Sequence, residues 1–446
     1  MRTFVTMLIL VALSQVISAQ NPIVTDQFSA DPSARVFNGK VYVFPSHDIP
    51  TPPEKPGRKD WFCMEDYHVY SSENLTEWTD HGMIISQYSA PWVDSTTYSM
   101  WAPDCIERNG KYYFYFPANK KATGPNGRGG FAIGVAIADR PEGPYRPEKE
   151  PIKGIFGIDP NVFIDKDGQA YIYYSMGNIY GAKLKDNMLE LDSEPVVIEN
   201  MPKKGMKEGP WLFERNGIYY MTLPHVENTI ERLEYATGKS PLGPFTMAGV
   251  VMDESPTGCW TNHHSIVEYN KQWYLFYHHN DLSPKFDKNR SIRVDSLFFN
   301  ADGSIQTVKP TLRGVGIAKA EKEIQLDRYS ALSEDGAKID FIDTTNIRLG
   351  WKTELAKKDA WVRFNKVELK KNHKLLIVRA KSGKNGMLEV RANALNGPVL
   401  AKINTNEISD WKNISAKLEK YKPGIQDLFV ISKSENPVEV DWIKFE

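Results

Sequence analysis

Five short stretches of the sequence repeat one pattern, a polar turn followed by a run rich in aromatic residues. They are FNGKVYVF (37–44), RNGKYYFYF (108–116), DKDGQAYIYY (165–174), RNGIYYMTL (215–223) and YNKQWYLFYH (269–278). Asn-Gly or Asp-Gly before alternating apolar residues indicates a β-hairpin, because these residues tolerate positive φ. The turns, at positions 39, 110, 168, 217 and 271, lie 49 to 71 residues apart, with scarce helical periodicity between them. This pattern predicts an all-β fold, with one hairpin in each blade of a five-bladed β-propeller.

A polar residue precedes each hairpin turn by six to nine residues. These residues are Asp31, Asp104, Asp159, Glu208 and His263. The offset is about one strand length, so each residue is expected at the far end of the innermost strand of its blade. Asp31, Asp159 and Glu208 also stand beside Pro or Gly-Pro, where a role in a turn is the alternative. The recurrence favours five side chains that converge on one funnel.

Carboxyl groups that share a cavity raise one another's pKa, which is typical of a functional site. Glycoside hydrolysis uses such a pair: one carboxylic acid protonates the leaving oxygen, and one carboxylate activates water. Inverting enzymes hold the two groups about 6.5–9.5 Å apart to leave room for that water. Strands from separate blades could set such a distance.

Five motifs in order resemble glycoside hydrolase family 43 over residues 22–316. They are DPS (31–33), WAPD (101–104), IDP (158–160) with FID (163–165), EGP (208–210) and HHS (263–265). The resemblance implies a five-bladed β-propeller that hydrolyses glycosidic bonds with inversion. On this pattern Asp31 is the general base, Glu208 is the general acid, and Asp159 orients Glu208 and raises its pKa.

The same resemblance implies further site residues. His263 matches a histidine near the channel centre, at a bound calcium or a water cluster; His264 is the alternative, because adjacent strand residues face opposite ways. Arg290 matches an arginine that contacts substrate hydroxyls, with a surface charge as the alternative. Trp101 walls the sugar subsite or packs in the core. Asp104 is expected to be structural.

The pattern changes near residues 314–321. Later strands are shorter, rich in Lys and Asn, and alternate polar with apolar residues, which predicts a separate β-sandwich (jelly-roll) domain over residues 322–446. This region resembles a family 6 carbohydrate-binding module. The resemblance implies that Asp327 and Asp441 bind a structural calcium ion through their oxygen atoms.

In that module, Trp361 and Trp411 are expected to form the stacking faces of a sugar cleft, although core packing would also account for them. Glu439 stands where the sugar-binding members usually carry Asn. The alternative is therefore a domain that only braces the propeller.

Residues 1–19 have the features of a secretory signal peptide: Arg2, an apolar run over Phe4–Leu13 and a small residue, Ala19, before the expected cleavage point. The run is too short to span a bilayer, and no Cys follows it to carry a lipid. Three Cys are too few for a disulfide scaffold, although one disulfide could form. The net charge of -1 argues against a nucleic-acid partner. We therefore expect an exported (periplasmic or secreted) protein without a membrane span.

The sequence thus predicts an exported, inverting glycoside hydrolase that releases terminal pentosyl units from arabinan, arabinoxylan or xylan. The first choice is α-L-arabinofuranosidase and the second β-xylosidase; exo-galactanase and endo-arabinanase or xylanase activities remain open. The insert over residues 48–63 is expected to cover part of the rim, which favours exo action. A catalytically silent carbohydrate-binding propeller is the rival, and the intact acidic trio argues against it. The chemistry needs no cofactor.

Overall fold

The computed structural model describes residues 16–18, 21–53, 60–122, 129–346 and 349–446. The predicted signal peptide lies outside these residues except for 16–18. Every regular element in the described residues is a β-strand, so the all-β prediction is confirmed. Within these residues, strands β1 to β20 form five separate antiparallel sheets.

Each of these five sheets uses a consecutive stretch of chain. The first contains β1 (Val16–Ser18), β2 (Ala30–Phe37), β3 (Lys40–Asp48), β4 (Met64–Ser72) and β5 (Glu77–Ser86); the second, β6 (Asp104–Arg108), β7 (Lys111–Lys120), β8 (Gly130–Ala138) and β9 (Arg146–Pro147); the third, β10 (Ile158–Ile164), β11 (Ala170–Ser175), β12 (Ile179–Leu184) and β13 (Val196–Val197); the fourth, β14 (Trp211–Arg215), β15 (Ile218–Val226), β16 (Glu231–Gly238) and β17 (Phe245–Met252); the fifth, β18 (Ser265–Tyr269), β19 (Gln272–His279) and β20 (Ser291–Leu297).

The five predicted hairpins are present, one in each sheet: β2–β3, β6–β7, β10–β11, β14–β15 and β18–β19. Their turn residues adopt positive φ, as at Asn38 (50°) and Gly39 (76°). The fifth hairpin keeps this geometry without glycine, because Asn270 (51°) and Lys271 (65°) both take the left-handed conformation. Local turn chemistry therefore sets where each sheet begins.

The innermost strands of the sheets, β2, β6, β10, β14 and β18, contact one another in a closed sequence. β2 contacts β6, β6 contacts β10, β10 contacts β14, β14 contacts β18, and β18 returns to β2. Aromatic side chains fill the spaces between sheets: Phe44 packs on Phe114 at 5.8 Å, and Trp78 meets Phe276 edge-on at 6.1 Å. The first and fifth sheets are thus neighbours although they lie far apart in the sequence.

Asp104 joins three of the innermost strands. Its buried carboxylate accepts hydrogen bonds from Ser33 Oγ (2.7 Å) and Arg35 Nε (3.0 Å) of β2, and from the backbone N–H of Val162 (2.7 Å) in β10. The expected structural role of Asp104 therefore has a physical basis, since one carboxylate ties together strands of three sheets.

The C-terminal region contains two further sheets, each of six strands. One consists of β21 (Ala318–Lys319), β23 (Ala331–Leu332), β26 (Trp361–Leu369), β28 (Met387–Ala392), β29 (Val399–Asn404) and β31 (Gly424–Ser432); the other, of β22 (Ile324–Gln325), β24 (Ala337–Phe341), β25 (Trp351–Leu355), β27 (Leu375–Ser382), β30 (Ile408–Lys417) and β32 (Val438–Phe445). Val362 and Phe364 of one sheet and Val378 and Ile443 of the other share one apolar core. Two sheets around one core agree with the predicted sandwich.

Charged side chains connect this region to the first five sheets. Arg328 donates to the backbone oxygen of Asn21, and Lys319 pairs with Glu77 at 2.8 Å. In the connecting segment, buried Arg313 donates to the backbone oxygen of Asn365 at 3.0 Å. The two parts of the chain therefore pack against each other.

Within the described residues, no helix is long and apolar enough to cross a membrane. The three cysteines, Cys63, Cys105 and Cys259, are all buried, and none of them forms a disulfide. The one disulfide that the sequence left open is therefore not formed.

Candidate active site

One cavity of about 200 Å³ lies where the innermost strands begin. It brings together Asp31, Asp159 and Glu208 with the other three residues predicted to bind substrate or metal there, Trp101, His263 and Arg290. The remaining lining residues are Trp61, Phe62, Met64, Ala102, Ile158, Met206, Trp260 and Thr261. Four of the five residues expected to converge therefore meet here, whereas Asp104 is buried between the strands and does not line this cavity.

Asp31 and Asp159 share an unusual backbone conformation. Their φ angles are 51° and 55°, in the left-handed region, and each is followed by proline. In both hairpins the strand pairing shifts its register beside the aspartate. The shift lies between Ala30 and Ser33 in β2, and between Ile158 and Asn161 in β10. A residue other than glycine in the left-handed region destabilises the folded state by about 1–3 kcal/mol, and such backbone strain is concentrated at functional sites. The repeated bulge places the two carboxylates in equivalent positions of two sheets.

Asp31 is fixed by donors from two sheets. Its Oδ2 accepts a hydrogen bond from Ser46 Oγ at 2.6 Å, and its Oδ1 accepts one from Arg290 Nη1 at 2.9 Å. The side chain is almost wholly buried but lines the cavity. A carboxylate held by a charge-assisted bond in this way has a defined orientation toward the cavity.

Arg290 lies between two carboxylates. Its Nε and Nη2 donate to both oxygens of Asp48 at 2.9 Å, while Nη1 donates to Asp31. The guanidinium is 2% exposed, so the alternative of a surface charge is wrong. Burial raises the pKa of Asp48, and the charge of Arg290 opposes that rise. The structure shows Arg290 positioning Asp31, and its predicted contact with substrate hydroxyls stays a prediction.

His278 supports the same carboxylate through the backbone. The N–H of Asp31 donates to Nδ1 of His278 at 3.0 Å, which places the ring proton on Nε2, where it faces the Thr261 carbonyl at 3.1 Å. Burial and the charge of Arg290 lower the pKa of His278 well below its ordinary value. The ring is therefore neutral, and its proximity to Asp31 Oδ1 (3.5 Å) is not an ion pair.

Asp159 connects the third sheet to the segment that carries Glu208. Its Oδ2 accepts hydrogen bonds from Ser175 Oγ at 2.7 Å and from the backbone N–H of Gly209 at 3.1 Å. Burial, followed by the charge of Glu208, raises the pKa of Asp159 to about 7. The two carboxyl groups are thus electrostatically coupled, and Asp159 contacts the residue next to Glu208.

Glu208 is a carboxyl group that favours its protonated form. Burial raises its pKa well above the ordinary value, and the neighbouring Glu231 and Asp31 raise it further. Glu231 is fully buried, accepts a hydrogen bond from the backbone N–H of Asn262 at 2.8 Å, and itself has a pKa raised by burial. We expected the charge of Asp159 to raise the pKa of Glu208. In the structure, the leading causes of the raised pKa are burial and the neighbouring Glu231, which was not predicted from the sequence.

His263, and not His264, lines the cavity. The ring of His264 instead lies 2.6 Å from Thr222 Oγ1, away from the cavity lining. His263 packs against Gly209, where φ is 51° and an added Cβ would lie 2.4 Å from His263 Cδ2, so only glycine fits. Neither ring nitrogen of His263 has a hydrogen-bond partner among the described residues. Those nitrogens can therefore bind water, a metal ion or a substrate hydroxyl.

Two aromatic residues close the cavity from the insert over residues 48–63, of which 54–59 lie outside the described residues. Phe62 is buried and lies 6.4 Å from both Trp101 and Trp260, measured between ring centroids. Trp61 is 49% exposed and lines the mouth. The described part of the insert thus covers the rim, as predicted.

In the C-terminal module, the structure separates the two predicted stacking tryptophans. Trp361 lies on β26 and packs on Phe429, whereas Trp411 lies on β30 of the other sheet, with the guanidinium of Arg379 5.9 Å from its ring. The residues next to Trp361 on β26 face the shared core, so Trp361 itself faces outward. The residues next to Arg379 on β27 also face the core, so Arg379 and the adjacent Trp411 lie on the outer face of the other sheet. The expectation that they form one cleft is therefore wrong.

The predicted calcium ligands of the module, Asp327 and Asp441, line one cavity of about 400 Å³. Each carboxylate faces a guanidinium: Asp327 lies 2.7 Å from Arg328 Nε, and Asp441 lies 3.1 Å from Arg379 Nε. Burial raises the pKa of Asp441 to about 6. Glu439, the residue that departs from the resemblance, pairs with Lys352 at 2.8 Å.

Comparisons with known protein families divide the chain in the same way as its sheets. The profile of glycosyl hydrolases family 43 matches residues 19–305, and that of carbohydrate binding module (family 6) matches residues 334–446.

Relatives cover the first of these regions. A xylosidase/arabinosidase 43A of Humicola insolens is 37% identical over 340 residues, which cover 65% of this chain and 99% of the relative. A beta-xylosidase of Xylanibacter ruminicola is 36% identical over 326 residues, 63% of this chain and 97% of the relative.

Solved structures agree. The β-xylosidase/α-arabinofuranosidase from a compost microbial metagenome, solved with xylotriose in a calcium-free form, has a TM-score of 0.59 at 37% identity and covers 66% of this chain and 98% of its own. An arabinoxylan arabinofuranohydrolase of Bacillus subtilis covers 96% of this chain and 99% of its own, with a TM-score of 0.55; at 22% identity it shows the fold alone.

Proposed function

Because the chain belongs to glycosyl hydrolase family 43, it is a glycoside hydrolase, and we propose that it releases terminal α-L-arabinofuranosyl and β-xylosyl units with inversion at the anomeric carbon. The observation that carries this proposal is the cavity in which Asp31, Asp159 and Glu208 meet. The substrates would be arabinan, arabinoxylan or xylan chains and their oligosaccharides.

We further propose that the five N-terminal sheets are the blades of a five-bladed β-propeller. Their innermost strands contact one another in a closed sequence. A second cavity, of about 720 Å³, is lined by the opposite ends of the same strands, including Phe37, Arg108, Ile164 and Phe213. Cavities at both ends of a ring of strands support a central channel.

In the proposed reaction, Glu208 is the general acid and Asp31 the general base. Water attacks the anomeric carbon while the bond to the leaving oxygen breaks; that oxygen takes the proton of Glu208, and Asp31 takes a proton from the water. The raised pKa of Glu208 supports the first role, because the group must hold a proton at neutral pH. The fixed carboxylate of Asp31 supports the second.

Asp159 is proposed as the orienter of Glu208 and a modulator of its pKa. Its hydrogen bond to the N–H of Gly209 supports the first part, and the coupling between the two carboxyl groups supports the second. Arg290, His278 and Asp48 position the base from the other side.

The cavity's size supports exo action on a single terminal sugar. Sites for drug-sized ligands are about 300–1,000 Å³, whereas this cavity is about 200 Å³. Trp101 and Phe62 supply flat apolar walls on which a sugar ring can stack. A small pocket walled in this way suits one pentosyl unit better than a long chain.

The two relatives described above are named xylosidase/arabinosidase and beta-xylosidase, so we propose both activities for one pocket. The test is turnover of 4-nitrophenyl α-L-arabinofuranoside, 4-nitrophenyl β-D-xyloside, arabino-oligosaccharides and xylo-oligosaccharides, with proton NMR of the first anomer released. We expect turnover of both pentosides and an inverted product. Binding without hydrolysis of any of these substrates, or a retained anomer, would contradict the proposal.

We propose calcium as a structural ion beside His263. Three neighbouring residues have polar atoms without a partner among the described residues: both ring nitrogens of His263, Oδ1 of Asn262 and Oε1 of Glu231. Oδ1 of Asn262 and Oε1 of Glu231 are oxygen ligands of the kind that calcium prefers, while a ring nitrogen of His263 would hydrogen-bond a water molecule on the ion. A second calcium, at Asp327 and Asp441, would have to displace the two arginines that those carboxylates face.

We propose that the protein is exported after cleavage behind Ala19, that residues 22–316 form the catalytic domain, and that residues 322–446 form the binding module. The signal-like composition of residues 1–19 supports export. Amino-terminal sequencing of secreted protein tests the cleavage.

For sugar binding by the module, Trp411 is a better candidate than Trp361, because it lines a cavity with Phe341 and Lys352.

A further inference from the structure

The first sheet carries a second group of metal-ligating side chains, which the proposed hydrolysis does not use. His47 of β3 and Asp66 and His68 of β4 each offer one ligand atom, and these atoms lie within 4.8 Å of one another. Asp80 of β5 lies next to them, with its Oδ1 3.4 Å from His68 Nδ1. Two adjacent strands thus present two imidazoles and one carboxylate together, and Asp80 contacts the opposite nitrogen of the His68 ring.

The distances fit one small ion. Zinc bonds of about 2.0–2.1 Å in a tetrahedral site place neighbouring ligand atoms about 3.3 Å apart. In the structure His47 Nδ1 lies 2.9 Å from Asp66 Oδ1, and His68 Nε2 lies 3.9 Å from the same oxygen. The two values lie on either side of the tetrahedral separation, so small side-chain rotations suffice to form the site.

The surroundings hold these ligands in place. Asp80 Oδ1 accepts a hydrogen bond from the N–H of Gly82 at 2.7 Å, and the ring of His68 stacks on Tyr70 with an interplanar angle of 18°. The side chains of His47, Asp66 and His68 are 20%, 13% and 16% exposed. An ion can therefore reach the group from solvent and be largely enclosed once bound.

A comparable group in the fourth sheet lacks this potential. His225, Glu227 and Glu234 also lie within 4.8 Å of one another. However, Arg232 Nη2 lies 2.5 Å from Glu234 and 3.5 Å from Glu227. The guanidinium already supplies the positive charge that a metal ion would bring. Among the described residues, no arginine forms an ion pair with the first-sheet group.

We propose that His47, Asp66 and His68 form a binding site for Zn²⁺ on the first sheet, with Asp80 orienting the His68 ring through its Nδ1. Two imidazole nitrogens with carboxylate oxygens favour zinc over calcium or magnesium, which prefer oxygen ligands alone. The ion would cross-link β3 and β4. His47 directly precedes Asp48, which binds Arg290, so the site stabilises the strand that positions the base.

The test is titration of tag-free, chelator-treated full-length protein with ZnCl₂, followed by calorimetry and by thermal unfolding. We expect one zinc per chain at this site and a rise in unfolding midpoint of about 5 °C at a hundredfold excess over Kd. X-ray absorption should show mixed nitrogen and oxygen ligands at about 2.0–2.2 Å.

Variants decide whether the zinc binds here. His47→Asn with His68→Asn should abolish both the binding and the rise in midpoint, while His81→Asn, on the exposed part of β5, should leave them unchanged. If the double variant does not fold, His68→Gln alone should weaken zinc binding at least tenfold. Absence of zinc binding by the wild type, an unchanged affinity in these variants, or an equally tight binding of Ca²⁺ that the double variant loses would overturn the proposal.

Discussion

The carboxylate of Asp159 accepts a hydrogen bond from the backbone N–H of Gly209, at 3.1 Å. Asp159 begins the third sheet, and Gly209 follows Glu208 at the entrance to the fourth. A single bond therefore ties the proposed modulator to the chain segment of the proposed acid. Because Gly209 also packs on His263 with positive φ, the position of Glu208 depends on contacts from both sides.

Replacing Asp159 by Asn keeps an acceptor for Gly209 but removes the charge that couples to Glu208. Activity requires protonated Glu208, so it is present below the pKa of that group and lost as pH rises through it. Without the neighbouring charge the pKa of Glu208 falls, and we expect the basic limb of the kcat/KM profile to move to lower pH, with kcat reduced about 100-fold. Asp165→Asn, in the turn of the same sheet, is the matched control. An unmoved basic limb in Asp159→Asn would argue against the modulator role.

Glu208→Gln removes the proton that the leaving oxygen needs. We expect kcat on unactivated xylo- or arabino-oligosaccharides to fall by about 10²–10⁴-fold, because their leaving groups depend on acid catalysis. 4-Nitrophenyl pentosides should lose far less, since nitrophenolate leaves without a proton. Steady-state kinetics on both substrate types measure the difference. If the variant hydrolyses the oligosaccharides normally, Glu208 is not the acid.

Glu231→Gln tests the carboxyl group that the sequence analysis missed. Glu231 raises the pKa of Glu208 without lining the cavity. The variant should therefore shift the basic limb of the pH profile downward while kcat at low pH changes less than about tenfold, smaller than the loss of a direct acid or base. Glu227→Gln, an exposed neighbour, should leave the profile in place. A loss of kcat at every pH would instead place Glu231 among the reacting groups.

The parts of the fold that sequence reasoning predicted are those set by local chemistry. Asn38-Gly39 and its counterparts fix each hairpin through positive φ, and a strand length then locates Asp31 and Asp159. Asp48, His278 and Glu231 escaped because they lie on other strands of their sheets. They reach the site through pairings across long sequence separations, such as the bond between Arg290 and Asp48. The prediction that Trp361 and Trp411 form one cleft was wrong for the same reason. Which sheet of a sandwich a strand joins depends on pairings between strands that are far apart in the sequence.

Asp48→Asn should reduce stability more than most single substitutions. It leaves the buried guanidinium of Arg290 without its bidentate partner, and breaking a buried ion pair costs about 3–5 kcal/mol. Urea denaturation should show a lower midpoint, and kcat should fall because Arg290 also holds Asp31. Lys40→Met, which removes an exposed pair with Glu73, is the control and should leave the midpoint unchanged. Equal stability of Asp48→Asn and wild type would refute the stabilising role of the ion pair between Asp48 and Arg290.

Calcium removal should destabilise the protein through the residues beside His263. There, His263, Asn262 and Glu231 have buried polar atoms without a partner in the part of the chain that the structure describes, and an ion held by these residues stabilises only the folded state. Treatment with a calcium-selective chelator should lower the thermal unfolding midpoint by about 5 °C, and added Ca²⁺ should restore it.

His263→Ala should remove this response, whereas Asp441→Asn should remove it only if the ion binds in the C-terminal module. The two variants thus assign the calcium effect to one site by differential scanning calorimetry, with and without Ca²⁺. If the midpoint of the wild type does not respond to calcium, neither proposed calcium site is occupied. A response that survives in both variants would place the ion elsewhere in the chain, because His263 and Asp441 lie in separate cavities.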